Sequence, residues 1–166
     1  MNFINDNNSL KDLAKRSSFN NNIFEKIIKK ENSKNILIIE DSKVEQKILE
    51  DGLQKSINLK VNIIDNGIDA ISFIRKDLKI NDIDIDMVFL IVVDLVLGDV
   101  SAVKVIEELE RKSFKTPVFI YSSSDQLPTV VKMMKMKNVN NFFSKSRKDD
   151  FQRFLKCVEE ELNNRK

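Results

Sequence analysis

Residues 87–94 of the chain read MVFLIVVD, an uninterrupted apolar run that ends in a single aspartate, Asp94. A strand without apolar/polar alternation is typical of the interior of a parallel sheet that helices cover on both faces. A second run of this kind, Ile36–Ile39, is followed at once by Glu40 and Asp41. The two runs predict central strands of a parallel sheet that carry acidic residues at their carboxyl ends.

Around these two runs, apolar segments of strand length alternate with amphipathic segments of helix length from Lys34 onward. This alternation is typical of βαβ units, so we predict an α/β protein with a five-stranded, doubly wound parallel sheet. The predicted strands lie at 35–39, 61–64, 87–93, 118–121 and 141–143, and the predicted helices near 43–56, 67–79, 101–112, 125–137 and 148–163. Asn138 is expected to mark a helix end by adopting the left-handed conformation.

The first 33 residues differ from the rest because they contain eight asparagines. We predict an N-terminal extension over 1–33, partly disordered, with one short amphipathic helix around 20–30. Residues 34–166 are predicted to form a single domain.

Composition excludes several classes of protein. The net charge of +2 is far from the basic excess of a nucleic-acid-binding protein, and no apolar stretch is long enough to cross a membrane. The single cysteine, Cys157, has no partner for an internal disulfide. We therefore expect a cytoplasmic protein that binds neither nucleic acid nor membrane.

Polar residues follow the predicted strands where each strand ends. Glu40 and Asp41 follow the first strand, Asp94 the third, Ser122 ends the fourth, and Lys145 comes just after the fifth. Ligands of an open parallel sheet bind outside these carboxyl ends. The chain contains no histidine, so any phosphate chemistry at this edge would require a carboxylate.

Three carboxylates at one sheet edge indicate a cation, because two like charges about 4 Å apart repel by roughly 4 kcal/mol at an effective dielectric near 20. Hard oxygen ligands without histidine or cysteine select Mg²⁺. An aspartate beside Mg²⁺ suits phosphoryl transfer. Ser122 and Lys145 could donate hydrogen bonds to the phosphoryl oxygens.

These motifs resemble the bacterial response-regulator receiver family, as in the chemotaxis response regulator, over residues 34–163. The resemblance implies a (βα)5 flavodoxin-like receiver fold. The matching segments are Ile36–Ser42 for the acidic pair, Asn66–Ile71 for the start of the second helix, Asp94–Gly98 for the phosphoacceptor loop, Thr116–Ser123 for the switch hydroxyl and Phe142–Lys145 for the switch aromatic and lysine.

The resemblance implies a role for each matching residue. Asp94 would be the phosphorylated nucleophile and Asp41 a direct Mg²⁺ ligand, with Glu40 acting on the metal through water. The backbone carbonyl of Val96 would complete the protein's metal ligands. The remaining roles would fall to Ser122 and Phe142 as the switch pair and to Lys145 as the phosphate contact.

The implied function is that of a stand-alone phosphoacceptor in a two-component phosphorelay. A histidine kinase or a histidine phosphotransfer protein would supply the phosphoryl group, and a downstream protein would bind the face formed by residues 125–154. Catalysis would be limited to the protein's own phosphorylation and dephosphorylation. A small-molecule phosphatase is disfavoured because Val96 lies where such enzymes need a second carboxylate.

Departures from the family pattern keep one alternative open. Gly98 and Ser146 stand where prolines are usual, Ala102 stands where a glycine is usual, and the acidic pair is Glu-Asp. None of these changes removes a functional group from the chemistry. The altered loops would suit a pseudo-receiver that serves as a constitutive adaptor without switching.

Overall fold

The computed structural model describes residues 35–57, 59–124 and 126–164. The predicted extension over 1–33 and its short helix lie outside the described residues. Within the described residues, no helix is long and apolar enough to span a bilayer.

Five parallel strands form one sheet in the order β2-β1-β3-β4-β5, which confirms the predicted doubly wound α/β fold. The order reverses between β1 and β3, and this switch point is where an open α/β sheet binds its ligands. The strands are β1 Asn35–Ile39, β2 Lys60–Ile64, β3 Val88–Val93, β4 Val118–Ser122 and β5 Val139–Ser144.

The helices follow the strands as α1 Lys43–Ile57, α2 Gly67–Arg75, α3 Ala102–Arg111, α4 Leu127–Met133 and α5 Asp150–Asn163, with a 3-10 turn at Ile85–Met87. Two helices, α2 and α4, are shorter than predicted by four or more residues. α2 ends at Arg75 because Lys76 is left-handed (φ 68°) and its N–H bonds to the carbonyls of Ser72 and Phe73. α4 ends at Met133 because the N–H groups of Lys135 and Met136 then bond to carbonyls three residues earlier, as in turns.

The sheet is covered on both faces, and successive residues of β1 point to opposite sides. Leu37 and Ile39 pack in the core shared with α2, α3 and α4. Ile36 and Ile38 pack in the core shared with α1 and α5. All four side chains are fully buried, which explains why the run is apolar without alternation.

The segment 79–86, which precedes β3, completes the core beside β2. Ile80 and Ile83 form an antiparallel bridge around Asn81 and Asp82, whose φ angles are 49° and 62°. Asparagine and aspartate tolerate this left-handed conformation better than most residues. Ile83 and Ile85 are buried in the core on the α2 side.

The expected left-handed conformation of Asn138 is wrong: it is absent from the described non-glycine residues with positive φ, which are Lys76, Asn81, Asp82 and Ser113. Asn138 is instead buried, and its Nδ2 donates to the carbonyls of Phe114 at 2.8 Å and Thr116 at 2.9 Å. The side chain therefore joins the α4–β5 loop to the α3–β4 loop.

Candidate functional site

Four of the predicted site residues meet at the carboxyl ends of β1, β3, β4 and β5. Ser122 Oγ donates to Asp94 Oδ1 at 2.5 Å. Lys145 Nζ lies 2.8 Å from Asp94 Oδ2 and 2.6 Å from Glu40 Oε2. Lys145 and Glu40 are 105 positions apart in the chain, so only the sheet topology brings them together.

Backbone hydrogen bonds place each of these side chains. The N–H of Asp94 donates to the carbonyl of Ile39 at 3.0 Å, so the β1–β3 pairing extends to the aspartate itself. The N–H of Lys145 donates to the carbonyl of Ser122 at 2.9 Å, which extends the β4–β5 pairing in the same way. Both residues are therefore held at the sheet edge rather than in free loops.

The site is buried and charged. Glu40 is 1% exposed, Asp94 is 6% exposed, and the side chain of Lys145 is 8% exposed. Burial raises the pKa of Glu40, although the hydrogen bond and charge of Lys145 oppose the rise. Burial alone would lower the pKa of Lys145, but its bonds to Asp94 and Glu40 outweigh this and raise the pKa. The lysine therefore stays charged and balances one of its two carboxylate partners.

Asp41 completes the predicted acidic group from the solvent side. Asp41 is exposed. Its Oδ2 lies close to Gly98, 3.4 Å from the point where any other residue at position 98 would have its Cβ. The carboxylate thus faces the loop that follows Asp94. Glu40, Asp41 and Asp94 all lie at the same edge of the sheet, as predicted.

The donor types at this edge fit Mg²⁺, although no coordination geometry is formed. Among the described residues, no three carboxylate, histidine or cysteine side chains are grouped to hold a metal ion. Glu40 and Asp94 direct oxygens at Lys145 instead. Asp94 Oδ2 and both Glu40 oxygens accept one hydrogen bond each and so retain a lone pair, whereas Asp94 Oδ1 accepts two hydrogen bonds. Carboxylates with a backbone carbonyl are ligands that Mg²⁺ accepts.

The loop after Asp94 folds back onto the aspartate. The N–H of Val96 donates to Asp94 Oδ1 at 3.1 Å, while the Val96 residue is 58% exposed. The backbone around Val96 therefore lies within reach of the site, where its carbonyl is the predicted metal ligand.

Phe142 lies on β5 in register with Ile120, two residues before Ser122 on the neighbouring strand. Its ring is half-buried and packs against the core on the α2, α3 and α4 side. Phe142 therefore lies beside the strand that carries Ser122, the other residue of the predicted switch pair.

Two residues at the site were not predicted. The ring of Tyr121 lies below Lys145, whose Nζ is 5.9 Å from the ring centroid. Asp99, five residues after the phosphoacceptor position, accepts the backbone N–H groups of Gly67 and Ile68, both at 2.8 Å. Tyr121 could have been predicted from the sequence, because it directly precedes Ser122. Nothing in the sequence near Asp99 indicates its role, because its hydrogen-bond partners lie at the start of α2.

The model of one protein family, the response regulator receiver domain, matches residues 36–156. No curated protein matches the chain.

Several solved structures with a similar fold are receiver proteins. The phosphorylated cyanobacterial phytochrome response regulator RcpA is 21% identical, covers 76% of this chain and 89% of its own, and has a TM-score of 0.62. The signal receiver domain of a putative LuxO repressor protein from Vibrio parahaemolyticus is 24% identical, with coverages of 79% and 91% and a TM-score of 0.62. A Mn²⁺-bound form of the response regulator Rcp1 is 24% identical, with coverages of 76% and 90% and a TM-score of 0.62.

Proposed function

Since this chain belongs to the family of response regulator receiver domains, we propose that Asp94 accepts a phosphoryl group in a Mg²⁺-dependent reaction. One observation carries the proposal: each oxygen of the Asp94 carboxylate has a donor from a different strand end, Ser122 on Oδ1 and Lys145 on Oδ2. A hydroxyl and an ammonium in these positions can transfer their hydrogen bonds from the Asp94 carboxylate to the oxygens of a phosphoryl group attached to it.

The chemistry is a displacement at phosphorus. An Asp94 carboxylate oxygen forms the new O–P bond as the bond from phosphorus to the donor's imidazole nitrogen breaks, and the released imidazole takes a proton. Lys145 and Ser122 then donate to the phosphoryl oxygens. Mg²⁺ held by Asp41, Asp94, the Val96 carbonyl and, through water, Glu40 would neutralise charge on the same oxygens.

The donor in this proposal is a histidine kinase or a histidine phosphotransfer protein, the classes with which receiver domains interact. None of the 166 residues is a histidine, so the phosphohistidine comes from outside this sequence.

We place the contact with a downstream protein on the predicted face, residues 125–154. Along this face Leu127 is 70% exposed, Val131 45% and Met134 40%. Their spacing of four and three residues puts them on one side of α4 and the turn after it. An exposed apolar stripe of this kind suits a protein partner.

Intact mass spectrometry after incubation with Mg²⁺ and acetyl phosphate tests the proposed acceptor. The wild type should gain one phosphoryl group and Asp94→Asn none. Asp65→Asn is the matched control, because Asp65 directly follows β2 as Asp94 follows β3, but its carboxylate pairs with the exposed Lys43 at 3.1 Å.

The control should gain the phosphoryl group as the wild type does. Equal gain in the wild type and Asp94→Asn would refute the assignment of Asp94. No gain and no Mg²⁺ binding in the wild type would favour the constitutive adaptor instead.

A further inference from the structure

We propose that Asp99 is a positioning residue that fastens the phosphoacceptor loop, residues 94–99, to the N-terminus of α2. The inference rests on the proposed role of Asp94, because it concerns how that aspartate and its loop are held for the reaction.

The contacts of Asp99 resemble those of a helix cap, but they reach across the fold. Its Oδ1 accepts the N–H of Gly67 at 2.8 Å and that of Val100 at 2.7 Å, and its Oδ2 accepts the N–H of Ile68 at 2.8 Å. Gly67 and Ile68 open α2, where backbone N–H groups have no partner within the helix. A carboxylate at this end is also favoured by the helix dipole.

The two segments pack too closely for a side chain between them. A Cβ on Gly67 would lie 2.2 Å from Val100 Cγ2, 3.2 Å from Asp99 Oδ1 and 3.3 Å from Leu97 Cδ1. A larger residue at position 67 would have to displace these side chains, above all that of Val100. The loop that starts at Asp94 is therefore seated directly on the first turn of α2.

α2 also has a cap from its own sequence, which binds a different N–H group of the first turn from those that Asp99 binds. Asn66 Oδ1 accepts the N–H of Asp69 at 2.8 Å. The other end of α2 is joined to α3 by Arg75, whose Nε lies 2.9 Å from Glu108 Oε1. α2 is thus fixed at its far end and can serve as a rigid support for the loop.

Leu95 and Leu97 anchor the first part of the loop in the core, but the residue between Leu97 and Asp99 is a glycine. Gly98 has more backbone freedom than any other residue type would have. Within the loop, the N–H of Val96 bonds to Asp94 Oδ1 at 3.1 Å. By holding the far end of the loop, Asp99 keeps the Val96 backbone in place and, with it, the orientation of the Asp94 carboxylate.

The test compares Asp99→Ala with Asn66→Ala in the full chain. Both variants remove a side-chain acceptor from the first turn of α2, but only Asp99 belongs to the loop. The first readout is amide hydrogen exchange without phosphodonor. Exchange in residues 95–98 should become about tenfold faster in Asp99→Ala, because hydrogen bonds to a charged acceptor at the end of the loop are lost, and should stay unchanged in Asn66→Ala.

The second readout is the rate of phosphorylation by acetyl phosphate with Mg²⁺. Asp99→Ala should lower this rate about tenfold, Asn66→Ala should leave it near the wild type, and Asp99→Asn, which keeps one acceptor oxygen, should fall between them. If Asp99→Ala does not fold, Asp99→Asn takes its place in the test. Compared with Asn66→Ala, it must then show both faster exchange in residues 95–98 and a lower rate of phosphorylation.

Unchanged exchange in residues 95–98 would overturn the proposal, and so would equal effects of the Asp99 and Asn66 variants on the loop and on the rate. A wild type that accepts no phosphoryl group would instead refute the proposed function of Asp94. The exchange measurement would still decide whether Asp99 holds the loop, so the two failures are distinguishable.

Discussion

Lys145 provides a positive charge at the sheet edge for which the sequence predicts both this lysine and a metal ion. Its Nζ lies within 2.8 Å of both Glu40 and Asp94, so one positive charge already offsets part of the repulsion between the carboxylates. Because all three side chains are buried, loss of this lysine should destabilise the fold more than loss of a lysine from an ion pair at the protein surface. The difference can be measured as stability.

Lys145→Met should lower the free energy of unfolding by about 3 kcal/mol, because it leaves two buried carboxylates without a cation while keeping the apolar stem. Lys43→Met is the control: Lys43 lies 3.1 Å from Asp65, but its side chain is 73% exposed. That variant should cost less than about 1 kcal/mol. Urea denaturation at neutral pH gives both values, and similar losses would mean that Lys145 does not stabilise the buried carboxylates.

At the scale of elements, α2 is the helix whose position depends most on contacts outside its own sequence. Asp99 binds its first turn, and Glu108 of α3 binds Arg75 in its last turn. Glu108 also accepts from Arg111 of its own helix. The hydrogen bonds of Arg111 and Arg75 hold the pKa of Glu108 at about 2, below the ordinary 4.5.

Glu108→Gln should therefore change the pH dependence of stability. A carboxylate with a lowered folded pKa stabilises the fold fully above about pH 4.5, and the effect is lost as the pH falls through about 2, because the unfolded chain is protonated first. At neutral pH the free energy of unfolding of the wild type should exceed that of Glu108→Gln by about 1 kcal/mol. The difference is small because the two arginines are half exposed.

Denaturation curves between pH 2 and pH 7 measure this difference, which should shrink towards pH 2. Asp51→Asn serves as the control, because Asp51 pairs with Lys47 at 2.9 Å on the exposed surface of α1. The free energy of unfolding of Asp51→Asn should follow that of the wild type closely at each pH. A gap between wild type and Glu108→Gln that persists undiminished at pH 2 would contradict the assignment.

On the scale of the whole molecule, the site is connected to both faces of the sheet. Ser122 Oγ accepts the N–H of Ser124 at 3.2 Å, so the hydroxyl is joined to the loop that leads into α4. The neighbouring Tyr121 ring packs 5.3 Å from Phe154 of α5, centroid to centroid. A change in the Ser122 and Lys145 hydrogen bonds should therefore affect α4, β5 and α5 together.

Beryllofluoride with Mg²⁺, which mimics the phosphoryl group, should shift amide resonances over residues 122–137 and 141–154 as well as near Asp94. The physical reason is that Ser122 and Lys145 must leave their present positions on the aspartate, and a partner can select the resulting state. Heteronuclear NMR of the wild type measures the shifts, with Asp94→Asn as the unresponsive control. Shifts restricted to the neighbours of Asp94 would favour the constitutive adaptor.

Local patterns in the sequence determined the strands, their order in the chain and the polar residue that ends each one. The continuous apolar run 87–93 predicted a strand buried on both faces, and β3 is such a strand. Strand burial and strand-end chemistry depend on neighbouring residues, so they can be predicted without knowing the fold. Helix ends were less predictable, because Lys76 ends α2 by a backbone conformation that its residue type does not favour.

Only the tertiary structure decided which distant groups meet. The Lys145–Glu40 pair joins residues 105 positions apart, and the Asp99–Gly67 bond joins residues 32 positions apart. Likewise, Asn138 marks a loop because of carbonyls it reaches in another loop, rather than through its own backbone conformation. The reason is physical: apolar periodicity is a property of the local chain, whereas the partner of a carboxylate or an amide is set by the packing that brings remote segments into contact.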